Sequence, residues 1–310
     1  MASGFGFMGG KMVGELSVTE QVVANIANWI NISFLESGAF DTIKLSDAGT
    51  DGEEKSRLVS VEDRIYGEGY VYQSAYKNWA HESGIAFNDD FGEYIVCSGI
   101  YIGGDFYHKS ESGVLAYHID YPNGRIIFDN QNSVADAYGS GDLDIYAEFS
   151  YKRVTIITAD EYYRRTYIGR QANNPVGSGS AIPKDIDIKL PAVIIDSSND
   201  SWAPYQLGGH KRGIHNVVAN VYGVVKSDIN RIVDILSQQQ DKKIPSIDWS
   251  KSEEELDEYG DINPAYSGAY TAQAIYPWKH LYILRSTGQK MRGQALHGSA
   301  AFLIESLYHI

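Results

Sequence analysis

One cysteine, Cys97, stands in a chain of 310 residues. A lone cysteine excludes an internal disulfide and any metal site built from several thiolates. Flanked by Val96 and Ser98 in an apolar run, it reads as a buried thiol. Basic residues are also scarce: 26 Lys and Arg stand against 40 Asp and Glu, a formal charge of −14. The deficit runs along the whole chain, with net charges of −8 over residues 1–90, −4 over 91–170 and −2 over 171–310. No segment is built to grip phosphates. Apolar runs are short, and none approaches the ~18 residues of a membrane-spanning helix. The opening stretch MASGFGFMGGKMVGE carries neither the basic nor the apolar region of a secretory signal. The expectation is a protein made in a cytoplasm that stays soluble, with no membrane partner.

Signatures of chemistry are missing too. There is no G-x-S-x-G elbow, and GSGSA at 177–181 lacks the Gly-Lys-Ser/Thr close of a phosphate loop. His108, His118 and Asp120 form one loose group and His210 with His215 another. Neither has the H-E-x-x-H spacing that sets two imidazoles on one helical face. The acidic stretches SDAGTDGEEKS and DAYGSGDLD (136–144) offer side-chain oxygens but not the spacing of an EF-hand. No enzymatic activity, cofactor or metal is expected.

What the chain has instead is tyrosine, 23 of them, among 43% apolar and 21% charged residues. Those proportions fit a globular protein with a sizeable core. Tyrosine favours strands and half-wet contact surfaces. Residues 1–16 read as a flexible arm rich in Gly and Met. Ser17 with Glu20 makes a capping box, Val22, Val23, Ile26, Trp29, Ile30 and Leu35 make an apolar face, and Gly38 stops the helix. That helix and extended segments fill 17–90. From 91 to 168 the pattern turns to period two. Gly103-Gly104 and the Asn123-Gly124 turn in HIDYPNGRIIFD mark tight hairpins, so this region reads as an antiparallel, sandwich-like β unit. Residues 169–190 read as a linker. In 191–310, strand candidates PAVIID and IHNVVANVYGVV precede a helix capped by Ser227, with Ile229, Ile232, Val233 and Leu236 on one face. Two long strands close the chain. The fold class expected is α+β: the β unit plus a mixed sheet with one packed helix.

The order of segments carries a resemblance. It runs from SRLVSVEDRIYGEGYVYQSAYKNWAHESGI through SGIYIGGDFYH, YHIDYPNGRIIFD and AEFSYKRVTII to LPAVIID and IHNVVANVYGVVKSDINRIVDILSQQQ. This resembles virion structural proteins of tailed bacteriophages, of the neck and tail-completion type. Residues 213–239 are similar to the core of a tail terminator, although the chain is about twice as long as a minimal one. The resemblance implies that 191–310 is a terminator-like, ring-forming unit and that the protein is a homo-oligomer, with a hexamer preferred. It implies neighbouring neck, tail tube or sheath proteins as partners, genomic DNA passing through the channel without specific binding, and location in the virion after assembly in the host cytoplasm. Contact residues are then expected at the hairpin (Asp120, Asn123, Gly124, Arg125) and in the terminator-like stretch (Tyr222, Arg231). The alternative is a baseplate or receptor-contacting tail protein whose β unit binds sugar through Trp79, Tyr101 and Tyr117.

Overall fold

The computed structural model describes residues 18–45, 55–63, 66–82, 89–110, 112–131, 133–138, 144–159, 188–204, 211–247, 275–290 and 297–308. The architecture is α+β, with about half of the described residues in strands. Two compact units divide the chain, Ser33–Val154 and the described parts of Met1–Ile32 with Thr155–Ile310. The division falls within the first helix, α1 (Val18–Glu36). Val22, Val23, Ile26, Ile30 and Leu35 are buried, as their spacing requires. The helix ends in a Schellman motif: Gly38 takes φ +79° and donates to Leu35 O at 2.9 Å, while Ala39 N donates to Phe34 O at 2.9 Å. The expected cap, Ser17, lies outside the described residues.

Nine strands build the Ser33–Val154 unit: β1 (Phe40–Ile43), β2 (Arg57–Asp63), β3 (Gly67–Gln73), β4 (Gly99–Ile102), β5 (Asp105–His108), β6 (Tyr117–Asp120), β7 (Arg125–Phe128), β8 (Ile145–Tyr146) and β9 (Phe149–Lys152). A short helix, α2 (Ser133–Tyr138), follows β7. Seven strands form one antiparallel sheet in the order β5-β4-β8-β2-β3-β7-β6, and β1 pairs with β9. The sheet curls until its ends meet. The Tyr117 hydroxyl on edge strand β6 donates to the Tyr107 carbonyl on edge strand β5 at 2.7 Å. Tyr121 likewise donates to the Cys97 carbonyl at 3.0 Å. Tyrosine suits this position because its ring packs inside while its hydroxyl satisfies a backbone acceptor. Trp79, stacked on Phe149 with centroids 4.1 Å apart, fills the interior beside Ile100, Ile126 and Ile145.

This unit starts earlier and ends earlier than the expected 91–168. The reason is pairing: β2 and β3 join β8 and β7 in the same sheet. At the other boundary, β10 (Thr155–Thr158) leaves the antiparallel unit and pairs parallel with β11 (Ala192–Pro204).

The second unit is a mixed six-stranded sheet, β10-β11-β12-β15-β14-β13. Its other strands are β12 (Lys211–Tyr222), β13 (Lys242–Ile247), β14 (Ile275–Gln289) and β15 (His297–Tyr308), all antiparallel to their neighbours. Helix α3 (Lys226–Ser237) buries Ile229, Ile232, Val233 and Leu236, the face its sequence marks. Gly288 and Gly298 let it approach: a Cβ on either would meet Val233 at 2.9 Å. The cap position is taken by Val225 without a side-chain hydrogen bond, not by Ser227. Strand β13, unforeseen in the sequence, is an edge strand, where Pro245 is tolerated.

Candidate functional site

The hairpin is built from the predicted residues but with a different turn. Asp120 pairs with Arg125, leaving four residues in the loop. Pro122 and Asn123 are the central residues of a turn closed by Gly124 N donating to Tyr121 O at 3.2 Å. Only Gly124 takes a positive φ, +63°. Pro presets the first central residue of a type I turn and Gly follows it, so the four-residue form wins over a two-residue Asn-Gly turn.

The tip is an internal joint. Segment 74–79 lies along it: Ser74 N donates to Gly124 O, Asn78 N to Pro122 O and Trp79 N to Tyr121 O, at 2.8–2.9 Å. A Cβ on Gly124 would stand 2.2 Å from Tyr76 O. The Asp120 carboxylate accepts from Asn123 Nδ2 at 2.9 Å and Arg125 Nε at 2.6 Å, and Arg125 also donates to Asp63 at 2.9 Å. All three charged side chains of this chain of ion pairs are almost wholly buried. Asp120, Asn123, Gly124 and Arg125 therefore hold the hairpin to its own unit. As contact residues for a partner, three of the four are out of reach.

Tyr222 and Arg231 differ. Both are exposed, at the end of β12 and on the outer side of α3. Tyr222 packs against His297 across the β12–β15 pair, centroids 5.0 Å apart. It is followed by Val224 and Val225, 71% and 51% exposed. Two consecutive exposed valines at a strand end leave apolar surface in water.

The same sheet holds an arrangement that no motif announced. His215 on β12 sits between Asp200 on β11 and Ser306 on β15. Its Nδ1 is 2.9 Å from Asp200 Oδ1 and its Nε2 is 2.7 Å from Ser306 Oγ. Thr19 of α1 donates to the other Asp200 oxygen. With a neutral imidazole, Nδ1–H donates to the carboxylate and Nε2 accepts from the serine. The order nucleophile, base, acid is that of a hydrolytic triad. Access decides against that use: His215 is fully buried and Ser306 is 2% exposed. Ser306 lies near the end of β15, paired with Gly213 on one side and Leu281 on the other.

Two local devices create the network. A bulge between Ser197 and Asn199 shifts the β11 register by one residue, turning Asp200 to the face of His215. Gly213, opposite Ser306, leaves the space between imidazole and hydroxyl free, since a Cβ there would meet both within 2.7 Å. Trp202 closes the side, its ring edge-on to His215 at 5.4 Å.

The other candidate groups are dispersed. His118 is exposed and bonded to Asp129 at 3.1 Å, while His108 bonds Ser110 at 2.8 Å. His210 and most of the acidic loops lie outside the described residues. Among the described residues, no three His, Cys, Asp or Glu side chains converge as a metal site. No described helix is long and apolar enough to cross a membrane. Cys97 is fully buried, and desolvation pushes its thiol up to about 12. It stays un-ionised and unreactive at neutral pH. Of the residues offered for sugar, Trp79 and Tyr117 are core residues, and Tyr101 alone reaches the surface. Compared with known proteins, the chain matches no family model and no curated sequence.

Proposed function

We propose that this chain is a non-enzymatic structural component of a tailed-phage virion, forming an oligomeric ring at the head–tail neck as a tail terminator or neck/connector protein. The observation that carries the reading is the strand–helix module Lys211–Ser237, a long strand leading into a helix laid across its own sheet. It is the segment that resembles a terminator core, and it presents Tyr222, Val224, Val225 and Arg231 to solvent. A ring requires two different, mutually complementary surfaces that close by rotation. An apolar strand end beside an aromatic ring has the composition of one of them. The formal charge of −14 suits a channel through which DNA passes without condensing on the wall. Neighbouring neck, tail tube or sheath proteins would cover the ring's ends.

Size-exclusion chromatography with light scattering, followed by negative-stain imaging, tests this. Closed rings, six-fold by preference, are expected for the wild type, and Val224→Asp with Val225→Asp should release monomers. A monomer at every concentration, alone and mixed with neck and tail proteins, would sink the reading.

A further inference from the structure

A second surface lies in the Ser33–Val154 unit, on the outward side of the curled sheet. Phe106 stands opposite Tyr101, Tyr101 opposite Tyr146, and Tyr146 opposite Arg57. Directly opposed residues share a face, so three aromatic rings and a guanidinium form one row across four strands, roughly 14 Å long. The next row, Ile102, Ile145 and Leu58, is buried, which fixes the aromatic row as the outer one. Phe106 is 47% exposed, and its ring lies over Gly99, where a Cβ would meet it at 2.6 Å. That glycine lets the phenyl ring lie along the sheet.

Carboxylates line the row and are held in place. Tyr101 donates to Glu148 at 3.4 Å, and Glu148 also accepts from Leu45 N at 3.0 Å. Tyr146 donates to Asp144 at 3.2 Å, and Asp144 pairs with Arg57 at 2.5 Å. Ionised carboxylates have more acceptor sites than these contacts fill. Both half-exposed members of the Arg57–Asp144 pair remain open to a ligand.

We propose that this row is a carbohydrate-binding strip for a short linear glycan. The C–H faces of pyranose rings carry slight positive charge and stack on the negative faces of aromatic rings. Hydroxyl groups donate well to fixed carboxylates and accept from a guanidinium. The Tyr101 and Phe106 ring centroids lie 5.0 Å apart with their planes inclined at 54°, so the two rings offer neighbouring units of a twisted sugar chain separate faces. The strip is too small for a stable protein partner. Three partly covered rings offer on the order of 300 Å², against the roughly 800 Å² per partner of a standard interface. Nucleic acid is disfavoured by Glu148 and Asp144 beside the rings.

The test uses the full chain and tetra- to hexasaccharides of glucose, galactose and N-acetylglucosamine in ligand-detected saturation-transfer NMR. Transfer to sugar ring protons is expected for at least one series. Binding should be about tenfold weaker in Tyr101→Ala and in Phe106→Ala, and unchanged in Val114→Ala, exposed elsewhere on the unit. Thermal unfolding identifies any variant that fails to fold. Arg57→Ala, which truncates an exposed side chain, then carries the same expectation of weakened binding. Absence of transfer from every series, or binding that survives the strip substitutions, overturns the proposal. So does a change in the mass of the assembled species on strip substitution, which would make the row a protein interface.

Discussion

Two buried polar networks, one in each unit, do the same work by different routes. In the Ser33–Val154 unit, Arg125 bridges Asp120 and Asp63. Two of its members are five residues apart, on either side of a turn whose proline and glycine dictate their pairing. In the other unit, Asp200, His215 and Ser306 come from three strands spread over more than a hundred residues. Their meeting depends on one bulge and on the register of two long strand pairs. The Asp120–Arg125 half of the first network is assembled by local chemistry, with Asp63 joining from 62 residues away, while the second depends on accumulated register throughout. A charged network made locally should be the stronger, because removing one member strands full charges in the interior. The second should be weaker per residue but more sensitive to backbone shifts.

The largest effect is therefore expected from Arg125→Leu. It leaves two buried carboxylates without their shared cation, at a cost of about 3–5 kcal/mol. Urea unfolding followed by tryptophan fluorescence reads this directly, since Trp79 packs beside the hairpin tip. Asp120→Asn keeps an acceptor for Arg125 and should cost less. A loss below about 1 kcal/mol in Arg125→Leu would mean that the guanidinium is not the joint described, and the contrast between units would fall.

His215→Ala comes next, with an expected loss of about 2–4 kcal/mol from a cavity and two abandoned buried partners. Asp200→Ala removes the carboxylate that the bulge brings opposite His215. In that background, His215→Ala should cost clearly less than in the wild type. Equal costs in both backgrounds would show that Asp200 adds nothing to the imidazole, and the network would reduce to His215 and Ser306.

This contrast also sets what could be read from the sequence. The helical face of α3, the buried positions of α1 and the hairpin around Pro122-Asn123-Gly124 were legible because each is fixed within a few residues. The loop differs from the expected Asn-Gly turn only in length, because the proline before it sets a four-residue form. Strands β2 and β3 were assigned outside the β unit because pairing between Arg57 and Tyr146 leaves no local trace. In the sequence His215 groups only with its neighbour His210. Its partners lie 15 residues upstream and 91 downstream, and no spacing rule foresees a bulge that reverses a strand's facing. The aromatic row was hidden for the same reason: Phe106, Tyr101, Tyr146 and Arg57 become neighbours only through three successive strand pairings.

The smallest expected effect bears on function most directly. A fluorophosphonate reacts with serines activated by a neighbouring base and open to attack. Ser306 has the base, with Oγ 2.7 Å from His215 Nε2, and lacks the opening. Intact-mass spectrometry after incubation with an excess of reagent should show no adduct on the native protein. Geometry alone does not make a hydrolase when the nucleophile's hydroxyl is covered, because an acyl group must reach Oγ for the tetrahedral centre to form. A stoichiometric adduct lost in both Ser306→Ala and His215→Ala would reverse that conclusion. It would mean that the strand opens on a functional timescale, and that the polar network holding the second sheet is an active site.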